Sequence, residues 1–422
     1  MSALIETIRS GSFLTRERMR LWALAVVAAS AIGLLYIVVT SDGLNDFLNR
    51  PLGTDFSNVY AAGTYVLDGR AGAAFDWPLQ HAREQAIFGE KTPFYGWHYP
   101  PFFLFIAGVL ALMPYVVALV VWQAATFALY LIAIRAILST SWHDGGSGSA
   151  AYDRLWLLLA VAFPAVFVNI GHGHNGFLTA ALLGTALVTL DRRPVLAGIL
   201  LGLLAYKPQF GVLIPLVLIA TGRWRALLAG ALTVTALALT TLIAFGPEVW
   251  RAFFASMHLT RIEVLEQGGT GWHKIQSVFS VVRMWGGGVT LAYAAQSIVT
   301  VTAAGALVVL WRSRAAYPLK AAALCLAAII ATPYSLDYDF VVLAPAIAFL
   351  AADGMTRAFS AYQKSMLAFL WFMPLIARSI AEYTHVPLGV PAMLAVLALV
   401  LHRAAADAGL LARWHSAAQS IK

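Results

Sequence analysis

Hydrophobic runs of about 20 residues recur along this chain from Leu21 to Leu401, with polar segments between them. A helix needs about 20 apolar residues to cross a bilayer, so the pattern predicts an all-α polytopic membrane protein. We interpret twelve runs as transmembrane helices, at residues 20–40, 116–138, 154–170, 177–190, 194–206, 209–220, 226–245, 290–311, 318–333, 339–352, 365–381 and 388–403.

Two segments between the predicted helices are long. Residues 41–100 form a first extracytoplasmic loop, in which we expect short interfacial helices, and residues 246–288 form a second large loop. The apolar stretch 102–113 lies between two prolines and is short for a span, so it predicts a re-entrant or interfacial helix. The spans around Lys207 are also short, and one broken helix is an alternative there. We find no repeat or soluble domain, so residues 1–422 form a single integral-membrane domain.

Composition and charge support this interpretation. Hydrophobic residues make up 60% of the chain and charged residues only 11%, whereas a soluble domain carries roughly a quarter charged residues. The net charge of +8 comes from basic residues spread among short loops, which indicates the cytoplasmic ends of helices rather than nucleic-acid binding. We expect a multi-pass protein of the cell inner membrane with both termini in the cytoplasm. Residues 143–149 are glycine-rich and predict a flexible cytoplasmic linker.

Polar residues within the apolar chain occur in five groups, each at the end of a hydrophobic run and on the predicted extracytoplasmic side. Charged groups at such depth are costly unless they are used, so the pattern predicts an active site within the membrane. The groups are TDFSNVYAAG (54–63), HYPP (98–101), GHGHN (171–175), YKPQ (206–209) and PYSLDYD (333–339).

Asp55 is the carboxylate of the first group, near the start of a predicted short helix. An aspartate in this position either caps the helix or acts as a general base toward an acceptor hydroxyl. Asn58 and Tyr60 follow on the same segment and are candidate substrate contacts.

Lys207 lies between apolar segments, where an ammonium group costs several kcal/mol. Its side chain must either extend to the interface or pair with an anion, and we favour a substrate phosphate. His172 and His174 are further candidates for phosphate or other polar substrate contacts, or for hydrogen bonds at a helix end. A metal site would need a third ligand, which the spacing does not supply, and we expect neither a metal nor a cofactor. The single Cys325 excludes an intramolecular disulfide.

The remaining candidates for substrate binding are neutral or acidic. His98 and Tyr99 can hydrogen-bond a sugar or a phosphate, although a loop histidine is often structural. Asp337 and Asp339 are two residues apart and cannot share a helical face, so we expect one to cap a helix and one to face the cavity. Charged residues of the second loop either gate the cavity, bind a lipid headgroup or are merely solvated. The other candidates are Asn175, Gln209 and Tyr334.

These motifs, in their order and spacing, resemble glycosyltransferase family 87. The resemblance rests on D-F-x-N-x-Y-x-A-G from Asp55, Y-P-P from Tyr99, the glycines and asparagine of GHGHN, K-P-Q from Lys207 and P-Y-S-x-D-x-D from Pro333, and it extends over residues of about 20 to 400.

The resemblance implies a GT-C fold, a polyprenyl-phosphate-sugar donor, and transfer of a hexose such as mannose to a glycolipid or glycan acceptor at the outer face of the membrane. It implies that Asp55 is the general base of an inverting reaction. Charge growing on the departing phosphate would then be stabilised by Lys207, with His172 or His174 second. The lipid bilayer is the other expected partner, and nucleic acid is not expected.

Two other classes share many of these features. A transporter or flippase of a lipid-linked saccharide also has buried charges and broken helices, but it would favour repeated halves, which we do not find. A ligase that uses polyprenyl carriers would place its long loop late in the chain rather than after the first helix.

Overall fold

The computed structural model describes residues 2–140 and 150–407, so the linker predicted at 143–149 lies outside the described residues. Within these ranges the chain is helical and has no strand. Numbered in chain order, the α-helices are α1 (Ser2–Ser10), α2 (Arg16–Val39), α3 (Thr54–Leu67), α4 (Trp77–Phe88), α5 (Phe103–Ala111), α6 (Tyr115–Ser139), α7 (Ala150–Val161), α8 (Pro164–His172), α9 (Gly176–Thr189), α10 (Pro194–Leu203), α11 (Ile214–Ala220), α12 (Trp224–Phe245), α13 (Pro247–Leu259), α14 (Val278–Met284), α15 (Val289–Arg312), α16 (Tyr317–Ile330), α17 (Leu343–Arg357), α18 (Gln363–Phe372), α19 (Ala377–Thr384) and α20 (Gly389–Asp407).

Short helical segments connect several of these helices. Most are single 3-10 turns, and one is a π-helical stretch that continues α13. They are Ala71–Phe75, Thr260–Glu266 (the π-helical stretch), Leu204–Tyr206, Pro208–Phe210, Trp272–Lys274, Asp337–Val342 and Met373–Leu375.

Within the described residues, six helices are long and apolar enough to cross a membrane, or eight if each of two bent pairs forms one span. The protein is therefore a multi-pass membrane protein. The bent pairs are Arg154–Val161 with Pro164–His172, and Gln363–Leu375 with Ala377–Thr384. Four further apolar helices are shorter than about 20 residues. Each of the twelve predicted spans coincides with a long helix, a bent pair or a short helix, and length alone supports six to eight of them as crossings.

The core lies around α9, α16 and α17, whose side chains are almost all buried. Alanines make up much of α16, and small residues let membrane helices approach closely. At the periphery, α2 buries only Ala23 among its 24 residues, as expected for a helix that faces lipid.

The two short helices around Lys207 form a hairpin. α10 leads to the Lys207 turn and α11 leads away from it, and an ion pair between Arg223 and Asp191 joins their far ends. α12 packs closely on this hairpin. The approach is so close that a Cβ at Gly198 would lie 2.2 Å from the Ala226 carbonyl oxygen. The single broken helix considered from the sequence is therefore wrong.

Basic side chains close the end of the bundle opposite the five polar groups. Asp353, near the end of α17, is buried and pairs with Arg357 at 2.5 Å and Arg403 at 2.9 Å. Arg357 also contacts Asp407 at 2.6 Å. These ion pairs tie the ends of α17 and α20 together at the end where positive charge predicts the cytoplasm.

Residues 41–100 contain the helices α3 and α4. Of these, α3 packs against α5, since a Cβ at Gly63 would lie 2.1 Å from the Ala107 carbonyl oxygen. α5 has nine residues, about 14 Å of helix, and is too short to cross the hydrocarbon core of about 30 Å.

Candidate active site at the start of helix α3

Asp55 lies in the first turn of α3, and its side chain is 19% exposed. The N-cap position is occupied by Gly53, so the expectation that Asp55 caps the helix is wrong. One carboxylate oxygen lies 3.8 Å from Nδ1 of His172. The same histidine nitrogen is 2.8 Å from the hydroxyl of Thr54, which fixes the orientation of the ring. The structure therefore brings the first and third polar groups of the sequence together.

Two glycines make this meeting possible. Gly53 and Gly173 both have left-handed backbone conformations, with φ of 67° and 61°. A Cβ at Gly173 would lie 2.6 Å from Cβ of Phe56 and 3.2 Å from Cα of Gly53. Because any side chain would push the two segments apart, the glycines set the distance between Asp55 and His172.

The protonation of Asp55 is set mainly by its surroundings. Burial raises the pKa of its carboxyl to about 7, and the negative charge of Asp339 adds to the rise. The positive charges of Lys207, Lys274 and Arg378 oppose it. A carboxyl with a pKa near neutrality is suited to accept a proton during a reaction.

The side-chain amides of Asn169 and Gln123 hold the GHGHN turn in place. Asn169 donates to the His174 carbonyl at 3.0 Å and accepts from the Gly176 N–H at 2.9 Å. Gln123 donates to the same His174 carbonyl at 3.1 Å. The ring of Tyr338 packs against that of His174, with 3.8 Å between the ring centroids and the planes tilted by 31°. Sequence analysis did not select Asn169 or Gln123, although Asn169 lies only three residues before His172.

Lys207 is buried and forms an ion pair with Asp339, with 2.6 Å between Nζ and Oδ1. Its Nζ is also 3.3 Å from Nε2 of His174. The side chain does not extend to the interface, so that alternative is wrong. An anionic partner was expected, but the partner is a carboxylate of the protein rather than a substrate phosphate. His174 is buried beside this pair, and its Nδ1 has no partner within the described residues.

The two acidic residues of PYSLDYD have different partners, as their spacing predicts. Asp339 accepts from the Leu336 N–H at 3.0 Å as well as from Lys207, and it caps the short helix Asp337–Val342. Asp337 lies 3.4 Å from Arg378. Asp337 is also buried, but it pairs with the partly exposed Arg378 rather than with Lys207.

Two expected substrate contacts, Tyr60 and His98, have hydrogen-bond partners within the protein. The Tyr60 hydroxyl donates to the Met113 carbonyl at 2.9 Å, which joins α3 to the loop after α5. Nδ1 of His98 lies 2.9 Å from the Thr260 hydroxyl, and its ring packs against Trp77. The His98 contact links the first loop to the second. The roles of Tyr60 and His98 in substrate binding stay predictions.

The other expected contacts keep free polar atoms. Side-chain oxygens of Asn58 and Asn175 are buried without a hydrogen-bond partner in the described part of the chain. Burial, followed by the charge of Asp55, raises the pKa of the Tyr99 phenol, so this group stays protonated near the site. Tyr334 and Gln209 are half-buried, and Tyr334 lies within electrostatic reach of Asp339 and Asp55.

Lys274 and Arg378 are cations near Asp55. Lys274 is one of the second-loop residues considered above for gating the cavity or binding a headgroup, whereas Arg378 was not selected from the sequence. The second loop folds back on PYSLDYD, where the Gln276 N–H donates to the Ser335 carbonyl at 2.7 Å. This contact holds Lys274 near Asp337 and Arg378, and burial with the Arg378 charge lowers its pKa. Within residues 2–140 and 150–407, its ammonium has no hydrogen bond or ion pair. Arg378 lies inside a predicted span. The cost of burying a charge, which singled out Lys207, therefore applies to Arg378 as well.

Among the described residues, no group of three or more His, Cys, Asp and Glu side chains is arranged to hold a metal ion. The absence of a metal from the reaction therefore stays a prediction.

A model of one protein family, glycosyltransferase family 87, matches residues 97–334, more than half of the chain. The match includes His172, His174 and Lys207, whereas Asp55 and Asp339 lie outside it. No curated protein and no solved structure matches the chain.

Proposed function

Because the chain belongs to glycosyltransferase family 87, we propose that it transfers a hexose from a polyprenyl-phosphate-sugar donor to a glycolipid or glycan acceptor. The observation that carries this proposal is the position of Asp55, a half-buried carboxylate with a pKa of about 7 beside His172 and near the cations Lys274 and Arg378. A base and a cationic site for a phosphate leaving group are the two parts that the reaction needs.

In the proposed reaction, Asp55 is the general base. The acceptor oxygen forms a bond to the anomeric carbon while the bond from that carbon to the phosphate oxygen breaks. The acceptor proton passes to the Asp55 carboxylate, and the electron pair leaves with the polyprenyl phosphate. Attack opposite the leaving group inverts the anomeric carbon. The near-neutral pKa of Asp55 supports this role, since a free aspartate is a weaker base.

Lys274 and Arg378 are the cations that we assign to the donor phosphate. The role first given to Lys207 fits less well, because the charge of Lys207 is already balanced by Asp339 at 2.6 Å. Lys274 has no ion-pair partner in the described residues, and Arg378 has only a 3.4 Å contact with Asp337. Cations fixed in this way stabilise the charge that develops on the leaving phosphate more than the charge of the bound donor. His172 would contact the same phosphate or the acceptor.

The sugar would contact the groups with free polar atoms near Asp55. Tyr99, Asn175 and Tyr334 are the first candidates, with Asn58 and Gln209 further out. Mannose is the first sugar to test, because the family resemblance implies it. Lys207 and His174 then have a positioning role: they hold Asp339 and Tyr338 beneath the reacting groups.

The membrane arrangement follows from the same proposal. Polyprenyl-phosphate sugars lie in the bilayer, so the donor must enter sideways between helices, as in a GT-C fold with twelve spans. Basic residues lie at the end of the bundle opposite the site, which supports a cytoplasmic position for that end. The site then lies on the extracytoplasmic side of the inner membrane. Membership of a glycosyltransferase family favours this enzyme over the transporter or flippase considered from the sequence.

The full-length protein in lipid nanodiscs tests the proposal directly. It is supplied with polyprenyl-phosphate mannose or glucose and with a lipid extract as acceptor, and product is followed by mass spectrometry. We expect transfer by the wild type, and a loss of at least about 100-fold for Asp55→Asn, which keeps size but removes the base. Asp42→Asn, an exposed aspartate of the same loop, is the matched control.

Two results would count against the proposal. Full activity of a folded Asp55→Asn protein would remove the base assignment. If a nucleotide sugar serves as donor and no polyprenyl-phosphate sugar does, the proposed donor class is wrong. The assignment as a glycosyltransferase would still hold.

A further inference from the structure

A cavity of about 1260 Å³ lies between α2, α6, α7, α17 and α18. Arg16 and Arg18 line it at the start of α2, whereas Asp55 follows the other end of that helix. The 24 residues of α2 span about 36 Å. The basic rim is therefore separated from the candidate active site by most of the thickness of the bilayer, while the apolar interior extends along α17 as far as Ala344. The proposed function assigns the cavity no role.

The interior of the cavity is apolar, because the polar groups of two aromatic side chains that line it are hydrogen-bonded to backbone carbonyls. The Tyr130 hydroxyl donates to the Ala160 carbonyl at 3.0 Å, and the Trp371 indole donates to the Leu159 carbonyl at 2.9 Å. Trp156 also lines the cavity, and its indole N–H is buried without a partner among the described residues. The surface can thus hold a hydrocarbon chain and offers one unused donor.

The charged residues that line the cavity are all basic: Arg16, Arg18 and Lys364, with no Asp or Glu among the lining side chains. Within the described residues, the Arg18 guanidinium makes one hydrogen bond, to the Phe13 carbonyl at 3.3 Å. The Lys364 ammonium lies over the ring of Phe359 at 5.2 Å. Within the described residues neither Arg18 nor Lys364 has an acidic partner, so an anion would complement this rim.

Helix α1 indicates where the mouth of the cavity lies relative to the membrane surface. Leu4, Ile5 and Ile8 expose an apolar face on this short helix. It is fixed to the start of α18, where the Tyr362 N–H donates to the Arg9 carbonyl at 2.7 Å and the Ser365 hydroxyl donates to the Ile8 carbonyl at 2.6 Å. A helix with one exposed apolar face lies in the interface of a membrane. The basic rim beside it is therefore at the level of lipid headgroups.

We propose that this cavity binds an anionic phospholipid from the leaflet that faces the basic end of the bundle. One acyl chain occupies the apolar interior, and the headgroup phosphate contacts Arg18 and Lys364. The Trp156 indole donates to an ester carbonyl. A basic pocket between membrane helices on the cytoplasmic side attracts an anionic headgroup, whereas a purely apolar cleft would accept any lipid.

Native mass spectrometry of the full-length protein, titrated with phosphatidylglycerol or phosphatidylcholine of identical chains, tests the proposal. We expect phosphatidylglycerol to bind at least about tenfold more tightly, and Arg18→Gln/Lys364→Gln to remove most of that difference. Arg20→Gln/Lys91→Gln makes the same change of charge at exposed residues that do not line the cavity, and we expect it to bind as wild type does.

A second variant tests the acyl chain separately. Ala368→Phe fills the cavity from α18 without changing charge, and we expect it to weaken phosphatidylglycerol binding at least about tenfold while the protein stays monodisperse. Equal binding of both lipids by the wild type, or unchanged binding by both cavity variants, would overturn the proposal. Retention of polyprenyl phosphate in preference to phosphatidylglycerol would also overturn it, in favour of a substrate site.

Discussion

The Lys207 ammonium lies 2.6 Å from the Asp339 carboxylate, and both side chains are buried. One residue comes from the hairpin turn between α10 and α11, and the other from the short helix before α17. A buried ion pair costs desolvation on both sides and depends on further hydrogen bonds. His174 and the Leu336 N–H supply these hydrogen bonds. The ion pair is therefore a structural support for the candidate site.

Removing one member of this pair should destabilise the protein strongly. Lys207→Met leaves the Asp339 carboxylate buried and unpaired, which costs about 3–5 kcal/mol. Lys207→Met/Asp339→Asn removes both charges and keeps an oxygen for the Leu336 N–H, so most of the stability should return. Thermal unfolding in detergent measures both. A single variant as stable as wild type would show that the ion pair has no structural role.

The rate of transfer should depend on pH through Asp55. The carboxylate form is the base, and its pKa is about 7, so kcat/KM should rise with pH through a midpoint near 7. Lys274 lowers this pKa, so Lys274→Gln should move the midpoint to higher pH. Initial rates between pH 5 and pH 9 measure the midpoint. The exposed Lys91→Gln serves as control, and an equal midpoint in both variants would contradict the assigned electrostatic link.

The distance between α3 and the GHGHN turn should matter for activity. Gly173→Ala would place a Cβ 2.6 Å from Cβ of Phe56, at a residue with φ of 61°. A displacement of about 1 Å between reacting groups costs about 100-fold in rate, and we expect a loss of that order. Gly171→Ala is the matched control, since its Cβ would have no neighbour within 4 Å. Similar activities of the two variants would argue against the glycine contact as the determinant of geometry.

The cations assigned to the phosphate should affect chemistry more than folding. Arg378→Gln removes one charge from the leaving-group site, and a loss of about 100-fold in kcat is expected. The thermal unfolding temperature should fall less than for Lys207→Met, since Arg378 is partly exposed, its contact with Asp337 is 3.4 Å long and Asp337 keeps the hydrogen bond from the Tyr338 N–H. Rates at saturating donor separate kcat from KM. A rise in KM alone would assign Arg378 to donor binding without a role in the transition state.

The contacts of individual residues explain where sequence analysis succeeded. Asp55, His172, Lys207 and Asp339 were selected because charged or polar groups at the ends of apolar runs are costly, and the structure brings all four into one region. His98 and Tyr60 were selected on the same grounds, and their side chains also hydrogen-bond Thr260 and Met113. A polar residue near a cavity has the same sequence signal whether it faces substrate or a neighbouring loop.

The sequence by itself determined the class of protein, because membrane helices are specified by local runs of apolar residues whose length must match the bilayer. It also determined which residues are expensive to bury. Only the tertiary structure decided how those charges are paired. Lys207 pairs with Asp339 across 132 residues of chain, and the folding of the second loop places Lys274 within electrostatic reach of Asp337 and Arg378. Such pairing depends on the three-dimensional packing of distant segments, which no local pattern of apolar and polar residues encodes.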